Sequence, residues 1–300
     1  MNAEVTVFTP TYNRAHTLSK LYDSLCNQTD KRFEWIVIDD GSIDSTETLL
    51  LSMVNESKIN IRYIRTTNGG KHRAINKGVC LASTDWFFIV DSDDFLPSDA
   101  IEFIIKQAAL LKKENNYSHF AGICGLRSHY STDKPIINTD LFKTVIDSDF
   151  ISFRHKMRIK GDMAEVIRTE IFKQFPFPEF DGEKFMDEAV VWNQIADNYN
   201  IRFIPKTIYY CEYLADGLTN NVRKIHRESP KGSMLVYNQI LRNKRYTAIM
   251  RLKAAINYWR YSFGIPFSER QNRLRPIWWT YLVIPLALIF RKLDYFKSQK

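Results

Sequence analysis

The sequence predicts an α/β protein built on a mostly parallel mixed sheet that is flanked by helices. Apolar runs with the character of strands, such as residues 35–38 and 86–90, alternate with segments of helical periodicity. Strands that alternate with helices in this way form parallel βαβ units. Acidic residues follow both runs directly, at Asp39, Asp40 and Asp91. Open α/β sheets bind their ligands at these carboxyl ends of the strands.

The predicted elements follow one another regularly in the first part of the chain. Pro10 ends a first strand, and Leu18, Leu21 and Leu25 have the spacing of a buried helical face. Residues 44–47 place an acid three positions before a glutamate, which resembles a capping box at a helix start. We therefore expect strands at residues 5–9, 33–39, 59–65, 86–90 and 119–125, and helices around residues 18–25, 49–54, 74–81 and 97–113.

The middle of the chain is less regular, and the last part is helical and basic. We expect strands at residues 163–168 and 201–213 and helices at residues 169–175 and 187–199. From Ser229 onward the pattern is helical.

The charges divide the chain into two parts. Residues 223–300 contain 17 Lys and Arg against 3 Asp and Glu, a balance of +14, although the whole chain has a net charge of +8. Residues 1–222 therefore carry a balance of −6. The basic, aromatic end is expected to face an anionic surface. A nucleic acid is a less favoured partner, because the basic residues accompany a long aliphatic run.

The four cysteines, Cys26, Cys80, Cys124 and Cys211, are far apart in the sequence and form no C-x-x-C pair. This spacing argues against a zinc site and fits a reduced, cytoplasmic setting. The first residues do not have the pattern of an export signal. We therefore expect a cytoplasmic protein.

Two loops at predicted strand ends are candidates for a nucleotide site. Residues 9–14 either only end a strand and begin a helix, or line a slot for a nucleobase with Tyr12 against the base. Residues 39–42 contain an Asp-Gly pair, which is frequent in turns. Alternatively, the Asp40 carboxylate accepts the N3–H of uracil, a donor that cytosine lacks.

The segment at residues 68–72 carries two glycines and a lysine directly before a predicted helix. Glycines let backbone amides approach a phosphate, and the helix N-terminus and Lys71 add positive potential. A plain flexible loop is the other interpretation of this segment.

Asp91, Ser92, Asp93 and Asp94 form the most specific motif in the chain. Three carboxylates within four residues, after a strand of apolar residues, are difficult to explain as solvated surface. Repelling charges in one crevice need a compensating cation, and oxygen ligands without His or Cys suit Mg²⁺ or Mn²⁺. The fourth motif, Asp187 with Glu188, is either an ordinary acidic helix start or the source of a catalytic base.

Together, these motifs resemble those of family-2 glycosyltransferases with the GT-A fold, of the bacterial polysaccharide-assembly kind. The resemblance extends over residues 3–220 and includes residues 182–188 with Trp192, and residues 216–219 resemble a loop that closes over the donor. It implies an inverting, metal-dependent sugar transfer from a nucleotide-diphosphate sugar, most often a uridine one. It also implies that Asp40 contacts the base, that Asp91 and Asp93 form a D-x-D metal site, and that Asp187 or Glu188 is the base.

The resemblance also implies which other residues bind ligands and how the chain is divided. The donor-binding candidates are Thr9, Pro10, Tyr12, Arg14, Asp39, Asp40, Asn68, Gly70, Lys71 and Ser92, and the metal candidates are Asp91, Asp93 and Asp94. We expect a catalytic domain over residues 1–222, with a nucleotide-sugar half at 1–100 and an acceptor half at 101–222. Residues 223–300 lie outside the resemblance and are expected to form a basic helical extension that associates with the membrane.

The acceptor is expected to be a saccharide or a polyprenyl-linked saccharide at the inner face of the cell membrane. The apolar run at residues 278–290 is too short to span a bilayer, and basic residues flank it, as in a segment that lies among headgroups. A helical hairpin packed on the catalytic body is the other interpretation. Two other functions stay open at this point, a nucleotidyltransferase that makes sugar nucleotides and a non-catalytic scaffold at the membrane surface.

Overall fold

A computed structural model describes residues 2–212, 222–270 and 274–297. The contacts between residues divide the chain into two compact units, Met1–Pro176 with Gln194–Tyr213, and Phe177–Asn193 with Leu214–Lys300. Residues 177–193 therefore group with the C-terminal helices. The predicted boundary after residue 222 and the predicted halves at 1–100 and 101–222 stay predictions.

The first unit is built on one mixed sheet of eight strands in the order β3-β2-β1-β4-β7-β5-β8-β6. The strands are β1 (Val5–Thr11), β2 (Phe33–Asp39), β3 (Ile61–Arg65), β4 (Trp86–Ile89), β5 (Phe120–His129), β6 (Ile146–Ser148), β7 (Met163–Arg168) and β8 (Asn200–Cys211). Strand β1 pairs in parallel with β2 and β4, β2 pairs in parallel with β3, and β5 pairs in parallel with β8. Strand β7 is antiparallel to β4 and β5, and β6 is antiparallel to β8. The predicted mostly parallel mixed sheet is confirmed, and the carboxyl ends of six strands lie along one edge.

The helices alternate with the strands in the first part of the chain and follow one another at its end. They are α1 (Ala15–Cys26), α2 (Thr46–Glu56), α3 (Lys71–Leu81), α4 (Ala100–Lys112), α5 (Phe150–Lys156), α6 (Thr169–Phe172), α7 (Ala189–Ala196), α8 (Val222–Glu228), α9 (Pro230–Arg242), α10 (Ala248–Ser262) and α11 (Ile284–Lys297). Short 3₁₀ helices lie at Tyr117–His119, Thr139–Leu141, Phe267–Glu269 and Trp278–Val283.

Two of the predicted details that were wrong lie near the starts of α1 and α2. Strand β1 continues through Pro10 to Thr11. Proline is tolerated there because the pairing of β1 with β4 already ends at Phe8. The N–H that proline lacks would therefore have had no hydrogen-bond partner on β4. Asp44 is not the N-cap of α2, which is Ser45 and makes no side-chain cap hydrogen bond. The Asp44 carboxylate accepts from the N–H of Thr46 at 3.0 Å and from the N–H of Ala15 at 3.2 Å. It therefore joins the starts of α1 and α2.

A buried aromatic and aliphatic core holds the strand ends of the first unit in place. Its largest fully buried side chains include Phe8, Trp35, Trp86, Phe87 and Phe88. Burying one such side chain stabilises the fold by about 1.5–3 kcal/mol relative to leaving it exposed. Helix α3 approaches β1 so closely that a Cβ at Gly78 would lie 2.1 Å from the Phe8 ring. This close packing fixes the position of α3 relative to the sheet.

The second unit consists largely of helices around a cluster of rings. The His226 imidazole stacks on the Tyr261 ring at 5.4 Å and meets the Phe185 ring edge-on at 5.2 Å. Burial and the charge of Arg260 lower the pKa of His226 to about 4, so it is neutral at physiological pH. Among the residues that the structure describes, no helix combines the length and the apolar character that crossing a bilayer requires.

Candidate active site

The first predicted loop contains both core residues and an exposed ring. Thr9 is fully buried, and its hydroxyl accepts a hydrogen bond from Trp35 Nε1 at 2.9 Å. Pro10 is buried within β1. This geometry argues against a nucleotide contact for the side chains of Thr9 and Pro10. Tyr12, by contrast, has 45% of its surface exposed, so its ring can stack on a planar ligand.

Hydrogen bonds tie the loop after β1 to the loop after β2. The N–H of Asn13 donates to Ser42 Oγ at 2.8 Å, and Asn13 Oδ1 accepts from the N–H of Ile43 at 2.9 Å. The N–H of Arg14 donates to Thr46 Oγ1 at 3.1 Å. Asn13 has a φ of 53°, a left-handed conformation that Asn adopts more readily than most residues. The two loops therefore form one continuous surface at the carboxyl edge of the sheet.

Asp39 stabilises a turn inside the protein. Its Oδ1 accepts from the N–H of Ser42 at 2.8 Å and from Ser42 Oγ at 2.6 Å, and its Oδ2 accepts from Tyr63 Oη at 3.2 Å. Asp39 is fully buried. These contacts support the turn interpretation for Asp39 rather than the predicted contact with a donor.

Asp40 binds the loop at residues 68–72, whose glycine amides were predicted to bind a phosphate. Its Oδ1 accepts from the N–H of Gly69 and its Oδ2 from the N–H of Gly70, both at 2.7 Å. Asn68 Nδ2 donates to the carbonyl oxygen of Asp40 at 2.9 Å. The amides of Gly69 and Gly70 are thus directed at a carboxylate of the protein itself. Their predicted use as a phosphate cradle does not fit this geometry.

The glycine loop in turn positions Lys71 at the start of α3. Gly70 precedes the helix with a φ of 99°, a conformation that disfavours side chains other than hydrogen. Lys71 Nζ lies 2.7 Å from Asp91 Oδ1. Arg127 approaches the same carboxylate from β5, with 3.7 Å between its terminal nitrogen and Asp91 Oδ2. Burial alone would raise the pKa of Asp91, but the charges of Lys71 and Arg127 outweigh burial and lower it.

A tyrosine on β8 connects two positions of the acidic motif. Tyr209 Oη accepts from the N–H of Asp91 at 3.0 Å and donates to Asp94 Oδ2 at 2.7 Å. Burial and the charge of Asp91 raise the pKa of Asp94 to about 7, although the hydrogen bond from Tyr209 opposes this shift. The guanidinium of Arg127 lies 4.2 Å from the centre of the Tyr209 ring. Asp94 is therefore part of a buried polar network.

Asp93 differs from its two acidic neighbours. Burial and the nearby charge of Asp91 raise its pKa, while the charges of Arg14 and Lys71 act in the opposite direction. Ser92, between the two acids, is buried. A carboxylate whose ionised form is unfavourable in the protein gains most from an added cation.

Whether a divalent cation fits this site depends on the type of ligand atoms and on how many of them lie close together. Asp91 and Asp93 offer the carboxylate oxygens that Mg²⁺ and Mn²⁺ prefer. Within residues 2–212, 222–270 and 274–297, however, no three acidic, His or Cys side chains are grouped to hold one ion. The physical reason is that Asp91 pairs with Lys71 and Arg127, and Asp94 turns towards Tyr209. The donor chemistry fits, but the predicted three-carboxylate cluster is not assembled.

Arg127 and Tyr209 were not among the residues predicted for the site. The strand predicted at residues 119–125 ended too early, whereas β5 continues to His129 and carries Arg127 to the carboxyl edge. Arg127 Nε donates to the Met163 carbonyl oxygen at 2.7 Å, which fixes the guanidinium. The extension was not predicted because polar residues, Arg127, Ser128 and His129, follow soon after Gly125 and end the apolar run. Tyr209 carried no local signal, because its role depends on the distant pairing of β5 with β8.

Asp187 and Glu188 belong to the second unit and precede α7. Asp187 Oδ1 accepts from the N–H of Ala189 at 2.9 Å, as the cap of a helix does. Burial raises the pKa of Asp187, the hydrogen bond from Ala189 lowers it, and the charge of Glu188 adds to the increase, so the net shift is upward. Both side chains are half-buried. The predicted helix at residues 187–199 is shorter in the structure, and its capping residue is one of the two candidate bases.

Glu183 anchors the segment that carries these two acids. The buried carboxylate accepts from the N–H of Lys231 at 2.7 Å and from the N–H of Gly232 at 2.8 Å, in the first turn of α9. The N–H of Phe185 donates to Ser229 Oγ at 3.2 Å. A Cβ at Gly232 would lie 2.9 Å from the Phe185 carbonyl oxygen, so the segment lies directly against the helix.

We expect Glu183→Ala to lower the free energy of unfolding by about 1–3 kcal/mol for each buried N–H that it leaves without an acceptor. Both amides at the start of α9 lose their partner in this variant. Equilibrium urea unfolding measures the effect. Glu228→Ala, which removes a carboxylate that is 63% exposed in the same unit, is the matched control and is expected to unfold like the unmodified chain. Equal stability of the two variants would contradict the anchoring role.

Residues 216–219, which resemble a loop over the donor, lie outside the described residues.

The first unit therefore has a mostly parallel sheet with acids and cations at its carboxyl edge, where open α/β sheets bind their ligands. The sequence profile described as "Glycosyl transferase family 2" matches residues 6–168. The chain belongs to this family, as the sequence motifs predicted.

One curated relative is the GalNAc(5)-diNAcBac-PP-undecaprenol beta-1,3-glucosyltransferase of Campylobacter jejuni. The two sequences are 26% identical over 196 residues, which cover 63% of this chain and 58% of that protein. The chain thus spans less than two thirds of the length of this relative.

Two solved structures share the fold. The Staphylococcus aureus TarS fragment 1–349 in complex with UDP-GlcNAc has a TM-score of 0.60 at 20% identity, over 90% of this chain and 75% of that one. The mannosyltransferase PcManGT of Pyrobaculum calidifontis, in complex with GDP-Man and Mn²⁺, has a TM-score of 0.59 at 14% identity, over 100% of this chain and 89% of that one. At these identities the likeness concerns the fold alone.

Proposed function

We propose that this glycosyltransferase moves a hexosyl group, with inversion, from a UDP-sugar to a saccharide or polyprenyl-linked saccharide in the synthesis of a cell-surface polysaccharide. The main support is the edge of the sheet at which Asp91, Asp93, Lys71, Arg14 and Arg127 act on one another. Such a site offers both oxygen ligands and positive charge to a nucleotide diphosphate.

We assign the donor nucleotide to the surface formed by the loops after β1 and β2. Tyr12 is exposed there and suits stacking on a base. Asp40 Oδ2 accepts from the Gly70 amide and, at 3.2 Å, from Asn68 Nδ2, whereas Oδ1 accepts from the Gly69 amide. The second lone pair of Oδ1 can therefore accept the uracil N3–H. The co-crystal structure of TarS with UDP-GlcNAc is consistent with a uridine donor within this fold.

The reaction is a single in-line displacement at the anomeric carbon. The acceptor oxygen forms the new bond to this carbon, the bond from the carbon to the diphosphate oxygen breaks, and UDP leaves with the bonding electron pair. Asp187 or Glu188 takes the proton of the attacking hydroxyl. Lys71, Arg14 and Arg127 stabilise the charge that builds up on the diphosphate. Mg²⁺ or Mn²⁺ held by Asp91 and Asp93 would add positive charge at the leaving group.

The raised pKa of Asp187 supports this residue as the base, because a carboxylate with a higher pKa is a stronger proton acceptor. The hydrogen bond that Asp187 accepts from the N–H of Ala189 also gives it a structural role in capping α7. Glu188 therefore stays the alternative.

The acceptor is proposed to be presented at the inner face of the cell membrane. The Campylobacter relative is named for a saccharide linked to PP-undecaprenol. The charge balance of +14 in residues 223–300 suits binding to an anionic surface. Co-sedimentation with anionic vesicles tests this attachment.

A screen of UDP-sugars tests the function. With Mn²⁺ or Mg²⁺ and a membrane extract as the source of acceptor, we expect one donor to give UDP release together with a labelled saccharide product. A nucleotidyltransferase would instead release pyrophosphate from UTP and a sugar phosphate, and a scaffold would release neither. Pyrophosphate release, or the absence of UDP release with every donor, would contradict the proposal.

A further inference from the structure

The helical stretch from Trp278 to Lys297 packs on α10 through small and polar residues. Thr280, Ala287 and Asp294 recur at every seventh position and are the buried residues of this stretch among those whose side chains the structure describes. Trp259 Nε1 donates to Thr280 Oγ1 at 3.1 Å, and Arg260 forms an ion pair with Asp294. Residues seven apart lie on one face of a helix. The contacts with α10 thus include this hydrogen bond and ion pair, the packing of the Tyr281 ring on Trp259 at 4.8 Å, and the guanidinium of Arg291 at 5.2 Å from the Phe263 ring.

Several large apolar side chains of the same stretch are exposed to solvent, although Trp279, Val283 and Ile284 are half-buried and the Phe290 ring also lies 5.9 Å from the Arg260 guanidinium. Exposed members of this set form what we call the apolar face, which consists of Trp278, Leu282, Leu286, Ile289, Phe290 and Leu293. Leu282 is 80% exposed, Trp278 79% and Ile289 56%. An ordinary surface helix buries its apolar stripe against the core and exposes its polar side. This stretch has the reverse arrangement, so packing within the unit does not explain its composition.

Basic residues accompany the apolar face. Arg291 and Lys292 are exposed on the same helix, and Arg275 is exposed shortly before it. Residues 223–300 have a charge balance of +14. A partner that covers the apolar face therefore needs an apolar layer beside negative charge. An anionic bilayer has both within a few ångströms, in its acyl chains and its headgroups.

The length of the stretch determines how it can meet a bilayer. The 3₁₀ segment has 6 residues and α11 has 14, and the apolar run at 278–290 is shorter than the about 20 residues that spanning requires. The buried ion pair of Asp294 also holds the inward face on the protein. The stretch is therefore suited to lie in the plane of the interface.

We propose that the apolar face inserts into the boundary between headgroups and acyl chains of an anionic bilayer, with α11 parallel to the membrane surface. This inference rests on the proposed membrane attachment and names the surface that makes it. Trp278 lies at the level of the headgroups, where indole rings are favoured. Leu282, Leu286 and Ile289 extend just below this level.

The test uses the full chain and vesicles that contain phosphatidylserine in phosphatidylcholine. Leu282→Ser combined with Ile289→Ser is expected to weaken vesicle binding at least about tenfold, the scale set by burying one large aliphatic side chain. Ile249→Ser is the matched control, because Ile249 is 68% exposed on α10 but lies outside the apolar face. Arg291→Glu with Lys292→Glu is expected to weaken binding to anionic vesicles and to reduce its sensitivity to salt.

Several results would overturn the inference. Unchanged vesicle binding of the Leu282 and Ile289 double variant would show that the face does not insert, and equal binding to pure phosphatidylcholine vesicles would remove the electrostatic part. Concentration-dependent dimers in sedimentation equilibrium that the double variant abolishes would show that a second copy covers the face. UDP release by each variant without vesicles is measured in parallel, so a loss of attachment is distinguished from a loss of catalysis.

Discussion

Asp93→Ala is expected to abolish sugar transfer and metal-dependent UDP binding while the fold remains intact. Burial and the charge of Asp91 raise the pKa of Asp93 above its value in an unfolded chain. A carboxyl group with a raised pKa in the folded state opposes folding at neutral pH, where it has to be ionised. Replacing Asp93 by alanine therefore costs no electrostatic stability, although it removes the carboxylate best suited to an added cation.

The measurement combines calorimetry of UDP binding, with and without Mn²⁺, and thermal unfolding. We expect Asp93→Ala to bind UDP equally weakly in both conditions and to keep or increase its melting temperature. Asp140→Ala, which removes a carboxylate that is 82% exposed in the same unit, is the matched control and is expected to behave like the unmodified chain. Unchanged, metal-dependent affinity of Asp93→Ala for UDP would contradict the proposed role.

Replacement of the catalytic base is expected to have the second large effect. One of the two variants Asp187→Asn and Glu188→Gln, but not both, should lower kcat by at least about 10²-fold with donor binding retained. Asparagine is as good a helix cap as aspartate, so Asp187→Asn keeps the hydrogen bond from Ala189 and the start of α7. The variant therefore removes basicity without removing the cap.

The pH dependence of kcat adds a test of Asp187 as the base. A base acts only when deprotonated, so activity falls as the pH decreases through its pKa. If Asp187 is the base, its raised pKa means that kcat falls at a pH above about 3.9, the pKa of an ordinary aspartate. Asp181→Asn, an exposed position in the same unit, is the control. Near-normal turnover of both Asp187→Asn and Glu188→Gln would mean that the base lies elsewhere in the chain.

The sequence predicted the sheet well where the local pattern is strong. Strands β2 and β7 have the predicted bounds, because each is an apolar run with a clear start and end. Strand β6 and helix α5 were not anticipated. A strand of three residues has little pattern of its own, and β6 exists through its pairing with β8. Long-range pairing of this kind is not readable from a local stretch of sequence.

The sequence also predicted which acids gather at the edge of the sheet, but not what each one contacts. Asp39 and Asp40 are adjacent in the chain, yet one stabilises a turn through Ser42 and the other binds the amides of Gly69 and Gly70. These partners follow from the way two loops meet in space. For the same reason, Arg127 on β5 was missed as a partner of Asp91, which lies in the loop after β4.

The hydrogen bonds that Asp40 accepts from the amides of Gly69 and Gly70 affect how the donor site can change over evolutionary time. With these amides engaged, we propose that positive charge for a diphosphate comes from three separate side chains, Lys71, Arg14 and Arg127. A backbone cradle is inherited as a whole, since its N–H groups cannot be replaced one at a time. Separate side chains are each open to single substitutions, so selection can adjust the hold on the leaving group in small steps without rebuilding a loop.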